Sequence, residues 1–384
     1  MCKPQTLQVR LCLVLTGIAC LTLVAWAQAI KPVEQRTTER LAPGIEHSEI
    51  KRGDFTAETA DRWQIHVLIV APTKAAIRLV RAMDEIVGAE TTSSLAMRHG
   101  AIAAVNAGFF RVAGTYRGEP DGLLVVQGKV LSEPVRGGAA LALTNAGGST
   151  KAAFARFTFN SLLRLNGNET IPLQGLNRPR QTDELIVFTP EFHRTTLTSP
   201  DGIEVIVRKG RVSAVRDGQG SQQIPTDGFV LSAAGTARSA LTKLRRGMKV
   251  EINAQIKATP SLPFRPEAIL GGGPILLANG QVQTNLDGFN PLSFINSRHP
   301  RTAIGTRKDG ALVLVTVDGR QPKKSVGMTI PELAMLMLEL GCEEAMNLDG
   351  GGSTTMVIRN KVVNSISDAT GERAVSDALL VLPR

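Results

Sequence analysis

Cysteine is scarce in this 384-residue chain: there are four, and Cys2, Cys12 and Cys20 all fall in an apolar N-terminal segment. Cys342 alone lies downstream, so the remainder has no intramolecular disulfide, a pattern that suits a bacterial envelope better than an animal secretory pathway. Aromatic residues make up 4% of the chain, with a single tyrosine, Tyr116. That composition argues against a carbohydrate platform of stacked rings and against a base-stacking groove. The five histidines (His47, His66, His99, His193 and His299) are scattered, without the paired spacing of a zinc site. Each reads as structural except His299, which merits a test because it adjoins Pro300-Arg301. No Gly-Lys-Ser/Thr follows the glycine runs and no Gly-x-Ser-x-Gly elbow occurs, which excludes a P-loop and a serine-hydrolase elbow. Helix-turn-helix, zinc-finger and RNA-binding signatures are also missing, so the net charge of +10 does not point to nucleic acid.

Hydrophobic residues are 43% of the chain, enough for a full core, and 20 prolines with 37 glycines imply many turns. Residues 1–29 read as a signal peptide: Lys3 and Arg10 precede the uncharged stretch Leu11 to Trp26, and Ala25-Trp26-Ala27 and Ala27-Gln28-Ala29 are small-x-small cleavage sites. An uncleaved anchor is the rival reading, and the sole route to a membrane, since no charge interrupts Leu11 to Ile30. Either way the chain is expected to be exported, to the bacterial periplasm or beyond. Removing residues 1–29 lowers the net charge from +10 to +8, still basic enough to draw anionic polymers. Lys243, Arg245, Arg246, Lys323 and Lys324 read as solvated surface. Residues 30–43 are expected to be a linker and 44–384 a single domain.

Within that domain, Trp63–Val70 and Ala101–Val105 are expected strands and Thr92–His99 a short helix. Four segments repeat an apolar strand, a turn and a second apolar strand: Leu123–Leu131, Val205–Val215, Ile275–Val282 and Met356–Val363. These read as β-hairpins and favour an α+β class, a β-rich single domain with mixed or antiparallel sheets and a few packed helices. The clearest helix runs from Thr329 to Leu340, where Thr329 and Glu332 form a capping box, Pro331 sits in the first turn and Gly341 closes the end. Leu333, Met337 and Leu340 mark its core face. Cys342, just beyond, reads as a small core filler.

The helix delivers the chain into Asn347-Leu348-Asp349-Gly350-Gly351-Gly352-Ser353-Thr354-Thr355-Met356. Alternation puts Asn347 and Asp349 on one face of a strand end. Three glycines then permit tight turns and close approach to main-chain N–H groups, and Ser353 and Thr354 add hydroxyls. A carboxylate, an amide and an N–H cradle in one loop suit a phosphorylated or sugar-like ligand; the bland reading is a glycine-rich bulge with a solvated aspartate. Four other segments share the grammar of an apolar strand ending in polar or glycine residues. They are Ala104–Phe110, Leu270–Pro274, His299–Gly305 and Val315–Arg320. Singly, Asp318-Gly319-Arg320 is a turn, Gly271–Gly273 a bulge and Arg301 a salt-bridging residue.

Together these segments resemble the phosphodiester glycosidase family from about Gly44 to the C-terminus, most specifically at Pro300-Arg301-Thr302-Ala303 and Asn347–Met356. Ala107 departs from the family's Asn-Gly-Gly-Phe-Phe. The resemblance implies a hydrolase that cleaves the glycosidic bond of sugar-1-phosphodiesters in envelope or surface glycans. It implies Asp349 as the carboxylate at the sugar C1, Asp318 as its partner, and Arg301 on the phosphate, with Arg373 as a second cation. Asn106 and Asn347 would hold sugar hydroxyls, the Gly350, Gly351 and Gly352 amides the phosphate or an acetamido group, and Gly272, Thr302, Ser353 and Thr354 would line the substrate. No cofactor is firmly expected, although Asp349 and Asp318 suit a divalent cation such as calcium or magnesium. The alternatives are a non-catalytic anionic-polysaccharide-binding protein of exopolysaccharide assembly and a phosphodiesterase that cuts P–O.

Overall fold

Two antiparallel sheets packed face to face, flanked by a seven-stranded and another five-stranded sheet, carry the site in the computed structural model, which describes residues 33–56, 61–284, 286, 289 and 292–384. The expected signal peptide, residues 1–29, lies outside the described residues. The first sheet has eight strands in the order Glu34–Ala42, Ile45–Gly53, Arg62–Val70, Leu312–Val317, Arg301–Arg307, Cys342–Asn347, Ile275–Ala278 and Gln281–Val282. The second has five: Lys361–Val362, Met356–Ile358, Ala103–Asn106, Asp377–Pro383 and Ala75–Arg81. Leu68, Ile304, Leu314 and Met346 of the first sheet meet Val105, Met356, Leu379 and Val381 of the second in one buried cluster. Both faces of each central strand are therefore covered, which is why these segments read as nearly unbroken apolar runs.

A helix seals each outer face. Ile330–Glu339 lays Leu333 and Met337 against Val67 and Val315. Its start is the expected capping box: Thr329 accepts from the Glu332 N–H at 3.2 Å, and Glu332 accepts from the Thr329 N–H at 2.9 Å. Cys342 is buried beside this helix, and burial pushes its thiol up to about 12. Thr92–Arg98 covers the second sheet, with Leu95 and Ala96 on Ala104 and Leu380. Its N-cap is Thr91, with the Thr91 hydroxyl 3.2 Å from the Ser94 N–H.

All four expected hairpins form: Leu124–Val126 with Lys129–Ser132, Ile203–Arg208 with Arg211–Asp217, Ile275–Ala278 with Gln281–Val282, and Met356–Ile358 with Lys361–Val362. The expected linker is corrected in part, because Glu34–Ala42 is a strand paired antiparallel with Ile45–Gly53. Its side chains are mostly exposed, so main-chain hydrogen bonds hold it and no apolar pattern announces it.

Candidate active site

Asn106 ends a strand of the second sheet and ties it to the first. Its Nδ2 donates to the Asp349 carbonyl at 2.7 Å, and its Oδ1 accepts from the Thr302 hydroxyl at 2.7 Å and the Thr355 N–H at 3.1 Å. Asn106 and Thr302 are fully buried. Neither faces a sugar in this arrangement; they hold the strand ends that position Asp349. Leu348 N–H adds a bond to the Thr302 carbonyl, and Asp349 N–H one to the Ala107 carbonyl, each at 2.9 Å. The methyl of Ala107 is accommodated in the core beneath.

Asp349 stands where the glycine run begins. Burial pushes its carboxyl up to about 6, and the Asp377 carboxylate adds to the rise. The Ser353 hydroxyl, the Gly350 N–H (2.9 Å from Oδ1) and the Arg373 charge pull the other way. Gly351 adopts φ +61°, a left-handed turn that a β-carbon would strain, and Arg320 Nη2 lies 3.0 Å from where that carbon would sit. A side chain at Gly352 would collide with the Arg373–Asp368 ion pair, whose Nη2–Oδ2 distance is 2.7 Å. The glycines thus let two arginines close on the loop. The expected amide cradle is narrower than three residues, since Gly350 N–H is spent on Asp349 and Gly351 N–H on the Pro300 carbonyl at 2.9 Å.

The partner carboxylate differs from the expected one. Asp318 is buried in a separate network: its Oδ2 accepts from the Ser365 N–H at 3.0 Å and its carbonyl from the Ser325 hydroxyl at 2.6 Å. Its strand lies two positions across the sheet from that of Asp349, a backbone separation of about 10 Å. Asp377 takes the nearer place. Its Oδ1 accepts from the Gly108 N–H at 2.6 Å and its Oδ2 from the Ser376 hydroxyl at 2.8 Å. Asp349 and Asp377 therefore hang from opposite ends of the Ala107–Gly108 peptide link. Burial pushes Asp377 up to about 6 as well. Among the described residues no three His, Cys, Asp or Glu side chains converge to hold a metal ion.

Arg301 is also placed otherwise than as an open phosphate fork. It is 2% exposed; Nε donates to the Met328 carbonyl at 2.8 Å, and Nη2 to the carbonyls of Phe294 and Ser297 at 2.7 and 3.0 Å. Its guanidinium lies 4.9 Å from the Phe294 ring centre, and burial lowers its pKa to about 10. The guanidinium open to a ligand is Arg320, exposed against Gly351 and without an ion pair among the described residues. Its Nη2 lies 3.4 Å from His299 Nδ1. An arginine only donates, so that nitrogen is the acceptor and Nε2 carries the proton. Burial and the charges of Arg301 and Arg320 lower the His299 pKa, which favours the neutral ring.

Asn347 is buried, with Nδ2 donating to the Gly273 carbonyl at 2.8 Å and Oδ1 lacking a partner among the described residues. Ser353 and Thr354 are buried, and the Thr354 hydroxyl likewise has no partner among them. Such orphaned oxygens call for ordered water. Gly272 is needed for close packing, because a β-carbon there would come within 2.6 Å of the Met346 methyl.

The sequence reading missed Asp377 and took Arg320 for a turn residue. A signal existed for the first, an acid heading the apolar run Ala378–Leu382. None existed for the second, whose partners lie on other strands.

A family model described as phosphodiester glycosidase matches residues 201–382. A prophage SPβ-derived protein of Bacillus subtilis (strain 168) is 48% identical over 87 residues, 23% of this chain and 13% of that protein. The bovine N-acetylglucosamine-1-phosphodiester alpha-N-acetylglucosaminidase is 29% identical over 184 residues, 44% of this chain and 34% of the enzyme. The matches thus span about a third or less of either relative's length. A candidate exported protein of Burkholderia pseudomallei K96243 shares the fold, with a TM-score of 0.78 at 23% identity over 92% of this chain and 97% of that one. The loop from Asn347 to Thr355, its two neighbouring arginines and Asp377 all fall within the matched residues, and over them the chain resembles the phosphodiester glycosidase family.

Proposed function

We propose that the chain hydrolyses sugar-1-phosphodiesters, breaking the bond between C1 and the bridging oxygen. One observation carries this reading: a half-buried carboxylate, Asp349, and a guanidinium without an ion pair among the described residues, Arg320, flank the same glycine loop. The phosphate leaving group departs readily, so the site needs charge on the phosphate more than a strong general acid. Arg320 meets the phosphate oxygens with its planar fork, and the neutral His299 offers its Nε2–H beside them. Asp349, ionised, faces C1 as nucleophile, base or electrostatic stabiliser. Asp377 raises the basicity of Asp349 through its negative charge. Asn106, Thr302 and Arg301 act as positioning residues beneath the reacting groups. The same reading keeps residues 1–29 as an export signal and places the substrate in envelope or surface glycans.

Turnover of a hexose-1-phosphodiester in water labelled with oxygen-18 tests this directly. Label in the released sugar supports C–O cleavage; label in the phosphate makes the chain a phosphodiesterase, and absence of turnover leaves a glycan-binding protein. Arg320→Ala should lower kcat/KM about 100-fold, while Arg320→Lys recovers part of it, because a point charge replaces a fork. Wild-type activity in both variants would remove Arg320 from the site.

Asp318→Asn separates the two candidate carboxylate partners. Its folded carboxyl, pushed up to about 6 by burial from an ordinary 3.8, favours the folded state below that range and loses the advantage as pH rises through 6. The asparagine variant should therefore be more stable than wild type above pH 6 and keep turnover within about threefold. A loss of activity as deep as that of Asp349→Asn would restore Asp318 to the reaction.

A further inference from the structure

A cavity of about 650 Å³ opens beside Ser365, lined by Lys51, Lys323 and Lys324 together with Phe55 and Gln64. The sequence alone makes Lys323 and Lys324 solvated surface, but the fold gathers them with Lys51 around one hollow. Lys323 and Lys324 are exposed and form no ion pair among the described residues, whereas Lys51 lies 3.4 Å from Glu49. The acidic side chain in the wall, Asp54, accepts from the Thr56 N–H at 2.7 Å and from its hydroxyl. Asp318 sits behind Ser365 and attracts Lys324. The balance of the wall is positive.

This cavity shares two chain segments with the glycine loop. Lys323 lies three residues beyond Arg320, and Ser365 three residues before Asp368, whose carboxylate packs against Gly352. Three residues reach at most about 11 Å. That bound keeps the Lys323 and Arg320 main chains close enough for one short sugar-phosphate chain to touch both side chains. We propose that the cavity is a second anion subsite, taking a further phosphate of the same substrate chain, which makes the natural substrate a glycan with repeating phosphodiester links. The proposal rests on the hydrolase reading above and narrows it from any sugar-1-phosphodiester to a polyanionic chain. Lys323 and Lys324 neutralise the second phosphate, and Phe55, 39% exposed, offers an apolar face to the intervening sugar.

The test compares a three-repeat hexose-1-phosphate oligomer with a single-unit methyl diester, using wild type and the double variant Lys323→Glu/Lys324→Glu. Both lysines are exposed, so the variant should fold. It should raise KM for the oligomer about tenfold and leave the single-unit kinetics unchanged. Oligomer binding by titration calorimetry should weaken as salt is added. An equal effect on both substrates, or on neither, overturns the subsite. Should neither compound turn over, the hydrolase reading fails on its own. Binding then still decides the subsite: tighter binding of oligomer than of single unit, lost in the double variant, supports it, and equal binding overturns it.

Discussion

Asp349→Asn should abolish most turnover, lowering kcat by about a thousandfold, and should at the same time make the protein more stable at neutral pH. The two effects share one cause. The folded carboxyl titrates near about 6, against an ordinary 3.8, chiefly because it is buried. The folded state holds the proton more tightly than the unfolded chain, so this group favours folding below pH 3.8, and the benefit drains away as pH rises through 6. Above that range a charged Asp349 costs stability, and a neutral amide removes the cost. After allowance for the partial exposure of the loop, the gain should be about 1–2 kcal/mol at pH 7.5, with little difference at pH 4. Thermal unfolding at the two pH values measures it. For wild type, kcat/KM should rise with pH through about 6 as Asp349 ionises. Undiminished turnover in the asparagine variant would remove Asp349 from the mechanism.

Asn106→Ala should be the most destabilising single change at the site. The side chain makes hydrogen bonds to Asp349, Thr302 and Thr355, one of them as donor and two as acceptor. Truncation strands the Asp349 carbonyl and the Thr355 N–H in a fully buried place, where each orphaned group costs about 1–3 kcal/mol. The total loss should be about 3–5 kcal/mol in denaturant unfolding, with turnover falling because Asp349 loses its tether. Asn106→Asp keeps both acceptor bonds but buries a carboxylate whose second oxygen faces the Asp349 carbonyl, so at neutral pH it should lose at least as much. A truncation cost below about 1 kcal/mol would mean that the two sheets do not depend on this amide.

Local elements were legible because their causes are local. The Thr329–Glu332 box lies within one helical turn, and its bonds form between residues three apart. Turn residues between two apolar runs sufficed to place the four hairpins. The site was legible only in part. Asn347–Met356 stood out as a loop, yet the loop does not state which acid lies across from Asp349. Asp318 and Asp377 both border apolar strands, and their difference arises from sheet order: the Asp318 strand lies two across in the same sheet, while the Asp377 strand neighbours Ala103–Asn106 in the other. Arginine roles inverted for a similar reason. Arg301 belongs to the most specific motif, but its donors close on the carbonyls of Phe294, Ser297 and Met328, and the guanidinium left over is that of Arg320.

The chain's residues by themselves settled the four hairpins, the Thr329 capping box, the β-rich class, the glycine loop with its aspartate, and the likeness to phosphodiester glycosidases. Tertiary structure alone decided which charges meet: Asp377 with Asp349, Arg320 over Gly351, and three lysines around one hollow. Helix caps and hairpin turns depend on neighbours a few residues away, so sequence spacing encodes them. Charge pairing depends on the order of strands in two packed sheets, which short-range spacing does not contain.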